Sequence, residues 1–151
     1  MTNSKRAEPP AGPRSRYLAA SEQFPRASKV QGSTVTVFVD ERLAGADMYG
    51  DIFTLAPGAE LPLHWHPIGE LQFFLAGQGL LLDADGKETP IATGGSVFSP
   101  LGPGGAHGFR NTGSEPLQIL FVYPSAGGAP PELYWVNPDV AATLDPARSG
   151  Q

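Results

Sequence analysis

Residues 58–77 read GAELPLHWHPIGELQFFLAG and contain two of the three histidines of the chain. Residues 63–66 have the pattern of a strand, in which His64 and His66 project to one face and Trp65 projects to the other. A turn through residues 67–69 can fold the chain back so that Glu70 meets both imidazoles. Two imidazoles and a carboxylate that converge in this way suit a divalent first-row metal ion.

Short apolar or alternating segments surround this stretch from about Val30 onward. They predict strands at 34–39, 49–55, 63–66, 70–75, 79–82, 96–98, 108–111 and 117–123. Gly, Pro and Asp separate them, and Asp85-Gly86 predicts a hairpin tip. Many short strands at this spacing favour an all-β antiparallel barrel or sandwich. A short helix is expected at 138–144, where Asn137 can cap and Pro138 can begin it.

The third histidine, His107, lies in a second informative segment, GGSVFSPLGPGGAHGFRN, residues 94–111. Residues 58–77 resemble the first cupin motif at every spacing: Gly, five residues, His-X-His, three residues, Glu, six residues and Gly. Residues 94–111 resemble the second motif from Gly94 to Pro100 and from His107 to Asn111. The Gly-rich loop between Pro100 and His107 is two residues longer than the family pattern.

The chain therefore resembles a small single-domain metal-binding member of the cupin superfamily. The resemblance implies an antiparallel double-stranded β-helix, or jelly-roll barrel, over residues 30–125. It also implies a metal site formed by His64, His66, Glu70 and His107. We expect a flexible, basic, Pro-rich N-terminal extension at 1–29 and a C-terminal extension at 126–151. A barrel histidine is more often a hydrogen-bonded core residue than a ligand, but here all three histidines occupy ligand positions.

Other inward positions are candidates for a substrate pocket. Alternation from Glu70 places Gln72 on the metal-facing side, where it either holds a water or substrate oxygen or is a buried amide bonded to backbone. Tyr49 and Tyr123 either transfer protons or pack in the core. Three aromatic residues are expected to form pocket walls: Phe53, Phe74 and Phe109.

Composition and charge restrict the metal ligands and the classes of binding partner that we expect. The chain has no Cys, so we expect His and carboxylate ligands that suit Fe²⁺, Mn²⁺, Ni²⁺ or Zn²⁺. Residues 1–29 have a net charge of +4 and the remainder one of −9, which disfavours nucleic-acid binding by the body of the chain. No apolar run approaches the ~20 residues of a membrane helix, and residues 1–16 lack the apolar core of a secretory signal. We therefore expect a cytoplasmic protein without membrane contact.

These features predict a metal-dependent enzyme that acts on a small organic molecule. A dioxygenase acting on a chelating substrate is the leading hypothesis. A non-redox isomerase, lyase or cyclase, such as a polyketide cyclase, would need the same ligands, and a non-catalytic binding protein is the third alternative. The outward residues Trp65, Leu71, Phe73 and Leu75 are too apolar for a solvated face, and the resemblance also implies a homodimer.

Overall fold

The structure of the chain is a computed structural model, and it describes residues 8–144. Two antiparallel sheets pack face to face. In spatial order, the first sheet contains β1 (Phe24–Arg26), β2 (Ser33–Val39), β3 (Met48–Leu55), β10 (Leu117–Pro124), β5 (Glu70–Ala76) and β8 (Ser96–Ser99). The second contains β11 (Tyr134–Trp135), β4 (Glu60–Trp65), β9 (His107–Arg110), β6 (Gln78–Asp83) and β7 (Glu88–Ala92).

Helical structure is minor and lies in the connections. Single 3₁₀ turns occur at Ala20–Glu22, Pro103–Gly105 and Ala126–Gly128, and the helix α1 spans Pro138–Leu144. No helix within residues 8–144 is long and apolar enough to cross a membrane.

The core lies between the sheets and follows the two-residue period of the strands. Along β10, every second side chain is buried: Leu117, Ile119, Phe121 and Tyr123. The opposite residues of β3 are buried too, with Tyr49 opposite Tyr123 and Phe53 opposite Ile119. Full burial of each large apolar side chain contributes about 1.5–3 kcal/mol, so this seam is a main source of stability.

The structure confirms three predictions from sequence: the all-β, double-stranded β-helix architecture, the hairpin at Asp85-Gly86 and the helix at 138–144. Three strands were missed. β7 contains Pro90, which a sheet tolerates at its edge. β1 and β11 are edge strands of two or three residues, too short for periodicity to reveal. The sheets therefore extend beyond the expected limits of 30 and 125 at both ends. Only the outermost parts of the two extensions, residues 1–7 and 145–151, lie outside the described residues.

The outer face of the first sheet carries an apolar patch on its last two strands. Leu71, Phe73 and Leu75 of β5 are 46%, 39% and 38% exposed, and Phe98 of β8, directly opposite Leu71, is 68% exposed. We call these four residues the outer patch. Trp65, which we expected on the same face, instead lies on the second sheet and stacks on Tyr134 with ring centroids 4.5 Å apart.

Candidate metal centre

The four residues with ligand spacing meet at one end of the barrel. His64 lies near the end of β4 and His66 follows that strand, whereas Glu70 and His107 begin β5 and β9. His64 and His107 are direct partners across the β4–β9 ladder. All four side chains are buried, and each offers one ligand atom such that these atoms lie within 4.8 Å of one another.

Backbone carbonyl groups orient the three imidazole rings. The Nδ1 atoms of His64, His66 and His107 lie 2.8, 2.6 and 2.9 Å from the carbonyl oxygens of Pro62, Glu132 and Gly105. Because a carbonyl oxygen only accepts, each Nδ1 carries a proton, and in the neutral ring each Nε2 has the lone pair that can bind a metal ion. This arrangement aims basic nitrogen atoms at Glu70, as the outer hydrogen bonds of metal-ligating histidines do.

The acceptor atoms at the centre of the cluster face one another without hydrogen-bond partners. Oε2 of Glu70 lies 2.8 Å from Nε2 of His107 and 3.2 Å from Nε2 of His66. Neither contact has hydrogen-bond geometry, and both Glu70 oxygens and Nε2 of His107 have no hydrogen-bond partner. Buried acceptors that face one another are costly unless a positive charge lies between them. The donor set, its burial and these unsatisfied atoms fit a divalent metal ion.

The electrostatics of the cluster favour an ionised carboxylate among imidazoles. Burial alone would raise the pKa of Glu70, but the neighbouring His107 and His66 hold it well below its ordinary value. Burial and the proximity of His107 lower the pKa of His64 to about 3, so its imidazole is neutral. Burial opposes protonation of His107, but the Glu70 carboxylate raises its pKa above the ordinary value. A metal ion would take the place of that proton.

The loop that is longer than the family pattern orients one of the ligands. Its 3₁₀ turn at Pro103–Gly105 supplies the carbonyl oxygen that accepts the proton of His107 Nδ1. The backbone N–H of Gly102 donates to the carbonyl oxygen of His66 at 2.8 Å. A Cβ atom at residue 105 would overlap the carbonyl oxygen of Pro100, so glycine is required there. The two additional residues therefore lie in a loop that contacts two ligand residues.

The residues predicted to be catalytic lie at different distances from the cluster. Tyr123 is closest, with its hydroxyl oxygen 3.4 Å from Nε2 of His66. Gln72 is fully buried on the same face of β5 as Glu70, and its amide donates to Oγ of Ser99. Its partner is thus a side chain rather than the backbone. The hydroxyl of Tyr49 accepts a hydrogen bond of 2.7 Å from Arg26.

The aromatic residues predicted as pocket walls are all buried. Phe109 lies beside His107 with ring centroids 6.0 Å apart, and Phe74 packs edge to face on Phe109. Phe53 packs on Phe121. Phe109 therefore lies beside the cluster, whereas Phe74 and Phe53 pack in the core around it.

Three further residues lie at or near the site, and the predictions from sequence did not include Glu132 or Asp51. Glu132 bonds to His66 through its backbone carbonyl, and Trp135 packs against His64 with ring centroids 5.5 Å apart. Both belong to the segment expected to be a C-terminal extension, and a backbone carbonyl such as that of Glu132 gives no signal in the sequence. The third is Asp51, a buried carboxyl on the inner face of β3. The sequence did contain a signal for it, because a carboxyl group is unusual in a strand of mainly apolar residues such as β3.

Comparison with known proteins supports the family resemblance. A family model described as a cupin domain matches residues 51–123. Auxin-binding protein 1 of Arabidopsis thaliana is 34% identical over 103 residues, which are 60% of this chain and 50% of that protein. The chain thus spans about half the length of this curated relative.

Solved structures share the double-stranded β-helix. A polyketide cyclase from Streptomyces resistomycificus aligns with a TM-score of 0.68 and 22% identity, over 82% of this chain and 87% of its own. A mutant of oxalate decarboxylase from Bacillus subtilis aligns with a TM-score of 0.62 and 25% identity, over 80% of this chain and 32% of its own. Another structure of that decarboxylase concerns its Mn(II) centres. The likeness to the cyclase shows a common fold.

Proposed function

The chain belongs to the cupin superfamily, and on this premise we propose that it is a metal-dependent enzyme, a dioxygenase that acts on a small chelating molecule. The observation that carries the proposal is the buried cluster of His64, His66, Glu70 and His107, whose central acceptor atoms lack partners. Imidazole and carboxylate ligands suit Fe²⁺, Mn²⁺, Ni²⁺ and Zn²⁺.

Different residues of the chain would hold the metal and exclude water from the site. The Nε2 atoms of the three histidines and the carboxylate of Glu70 would hold the metal. When bound, the ion would supply Lewis acidity and, where it is redox-active, electrons for dioxygen. Phe109 and Phe74 would exclude water from one side of the approach.

Tyr123 would keep its proton at neutral pH. Burial and the negative charges of Glu70 and Asp51 raise the pKa of its hydroxyl well above the ordinary value. A hydroxyl that stays protonated beside His66 can donate a hydrogen bond to a ligand oxygen but cannot act as a base. We therefore propose that Tyr123 orients the substrate or protonates it, whereas Gln72 and Tyr49 support the walls of the site.

Metal analysis followed by oxygen uptake tests this proposal. Untagged protein should contain about one equivalent of iron, manganese or nickel by elemental mass spectrometry, and the Glu70→Ala variant should contain almost none. The loaded protein should then consume dioxygen with a member of a panel of catechols, β-diketones and α-hydroxyketones. Zinc as the native metal, or turnover that proceeds equally well under argon, would contradict the dioxygenase assignment.

A non-redox isomerase, lyase or cyclase is the second candidate. The fold similarity to a polyketide cyclase and the 25% identity to oxalate decarboxylase favour it. The same four ligands could polarise a carbonyl group without a change in oxidation state. Conversion of a β-diketone or polyketide probe under argon by the zinc-loaded protein would support this candidate.

A non-catalytic binding protein is the third candidate, because the curated relative is named for auxin binding. Saturable binding of an aromatic carboxylate such as indole-3-acetic acid, without turnover of any probe in air or under argon, would support it.

We also propose that the outer patch joins two copies of the chain. The patch is uncharged, and a two-fold dimer would place it against itself without opposing like charges. A stable interface needs about 800 Å² from each partner with an apolar centre, and these four exposed side chains would supply that centre.

A further inference from the structure

Asp51 differs from the other buried polar side chains outside the metal cluster. Its carboxyl group is 4% exposed, and Oδ1 has no hydrogen-bond partner. By contrast, the similarly buried Asp40 receives hydrogen bonds from Arg42 on both oxygens. Within the described residues, all other buried side-chain polar atoms that lack a partner belong to Glu70 and His107. A buried carboxylate oxygen without a partner is costly, and such an atom calls for an explanation.

The register of the first sheet places Asp51 close to the metal cluster. Asp51 lies opposite Phe121, and Phe121 lies opposite Gln72, so these residues share one layer of the barrel interior. Tyr123 occupies the next inward position of β10 and contacts His66. The charges of both Glu70 and Asp51 act on Tyr123, so the tyrosine is near both carboxylates.

Arg26 does not satisfy Asp51. Its guanidinium lies 3.7 Å from Oδ2, beyond hydrogen-bond distance, and donates instead to the hydroxyl of Tyr49. The Arg26 side chain is 48% exposed, so water screens much of its charge. Burial is the largest effect on Asp51 and raises its pKa to about 6, against the opposing effects of Arg26 and Tyr49. Tyr49 and Arg26 thus offset part of the cost of burying this carboxyl, but its Oδ1 is retained in the barrel without a hydrogen-bond partner.

We infer that Asp51 is a substrate-binding residue, whose Oδ1 accepts a hydrogen bond from a hydroxyl or amino group of the molecule held at the metal centre. This inference rests on the proposed function and narrows its substrate class to metal-chelating molecules that carry an additional hydrogen-bond donor. Residues that serve a ligand rather than the fold lower stability, and removing them often raises it.

The first test compares the stability of three apoproteins. Asp51→Leu replaces an unsatisfied carboxyl by an apolar side chain of similar size, so its melting temperature should rise by about 3 °C or more. Asp40→Leu is the matched control, because it removes a buried carboxyl that is fully bonded, and its melting temperature should fall. A fall for Asp51→Leu comparable to that of Asp40→Leu would show that Asp51 is structural and would overturn the inference.

The second test measures the binding of two probes to the zinc-loaded full chain by calorimetry under argon. Pyrogallol carries a chelating diol and a third hydroxyl, and 3-methylcatechol replaces that hydroxyl by a methyl group. Wild type should bind pyrogallol about tenfold more tightly than 3-methylcatechol, a typical gain for a hydrogen bond to a charged group. Asp51→Leu should lose this preference while its affinity for 3-methylcatechol stays within about twofold; Asp40→Leu should keep it.

The outcomes separate the two proposals. Binding of both probes to wild type without a preference, or a preference that persists in Asp51→Leu, would overturn the role of Asp51 and leave the chelating-substrate proposal standing. If Asp51→Leu lost affinity for both probes equally, the substitution would have damaged the metal centre. This result would overturn the role of Asp51 too. Failure of both probes to bind zinc-loaded wild type would contradict the chelating substrate itself and, with it, this inference.

Discussion

The Nδ1 atom of His66 lies 2.6 Å from the carbonyl oxygen of Glu132, a residue 66 positions further along the chain. The short strand that follows Glu132 pairs with β4, so that Trp135 lies opposite His64 and packs against its ring. The segment after the last long strand thus orients two ligands at once. A hydrogen bond at Nδ1 fixes the ring and increases the basicity of the opposite nitrogen.

Loosening this segment should weaken metal binding. Trp135→Ala removes the indole that packs on His64, and we expect zinc affinity to fall about 10–100-fold, as for other losses of support around a metal ligand. Competition with a chromophoric chelator measures the change. Val136→Ala is the control, because this neighbour is 50% exposed and should bind zinc like wild type. An affinity for Trp135→Ala within about twofold of wild type would show that the segment does not support the centre.

Direct loss of a ligand should have a larger effect. His107→Ala and Glu70→Gln should each reduce the bound metal from about one equivalent to almost none, because each removes a buried ligand from a set of four. Elemental mass spectrometry measures the content, and circular dichroism checks the fold. Asp85→Asn at the exposed hairpin tip should retain the wild-type content. Stoichiometric metal in either ligand variant would refute its assignment.

Metal should also stabilise the folded chain. A ligand present at a hundred times its dissociation constant adds about 2.7 kcal/mol to the free energy of unfolding, or ~5–10 °C in melting temperature for a chain of this size. Differential scanning calorimetry before and after removal of the metal with EDTA would measure the shift. Glu70→Gln should show almost none. An equal shift in this variant would place the stabilising metal elsewhere.

The sequence was sufficient for three of the four candidate ligands because their geometry is local. His64 and His66 are two residues apart at the end of β4, and a short turn brings Glu70 back to them. His107 required the family pattern, because its partnership with His64 is formed across a ladder between distant segments. The residues that orient the rings were not predictable, since carbonyl groups such as that of Glu132 carry no side-chain signal.

The remaining differences between prediction and structure arise because periodicity shows which residues share a face of a strand but not which strands are neighbours. Alternation placed Phe109 and Gln72 inward correctly, because one buried face determines the register of a strand. It could not assign Trp65 to a sheet, because an alternating strand shows two faces but not which sheet it joins. Only the strand order reveals the partners of Arg110, which pairs with Glu60 on the adjacent β4 and with Glu88 on β7, two strands away.

The outer patch predicts a specific effect on assembly. Phe73→Asp places a charge at the centre of the patch and should convert a dimer to a monomer, since two buried like charges would oppose each other across a two-fold interface. Sedimentation velocity over a range of concentrations measures the mass. Val136→Asp changes an exposed apolar residue that directly follows β11, away from the outer patch, and should leave the dimer intact. A wild-type chain that is monomeric at every concentration would refute the interface.

The buried carboxyl of Asp51 predicts how stability depends on pH. Burial raises its folded-state pKa from 3.8 to about 6, so between these pH values the folded chain holds a proton that the unfolded chain has released. The stabilising contribution of the protonated group is therefore complete below about pH 4 and is lost as the pH rises through 6. The side chain introduced by the substitution Asp51→Asn carries no charge at any pH, so the variant does not lose stability in this way.

The free energy of unfolding of Asp51→Asn, relative to wild type, should thus increase between pH 4 and pH 8, by an amount on the order of 2–3 kcal/mol. Urea titrations of the apoproteins at several pH values measure it, and removal of the metal excludes its own pH dependence. The charged and titratable neighbours Arg26, Tyr49, His66 and Glu70 are the same in both proteins. Glu115→Gln changes an exposed site, so its free energy of unfolding should depend on pH in the same way as that of wild type. Parallel curves for Asp51→Asn would mean that water or a rearranged Arg26 satisfies the carboxylate in solution.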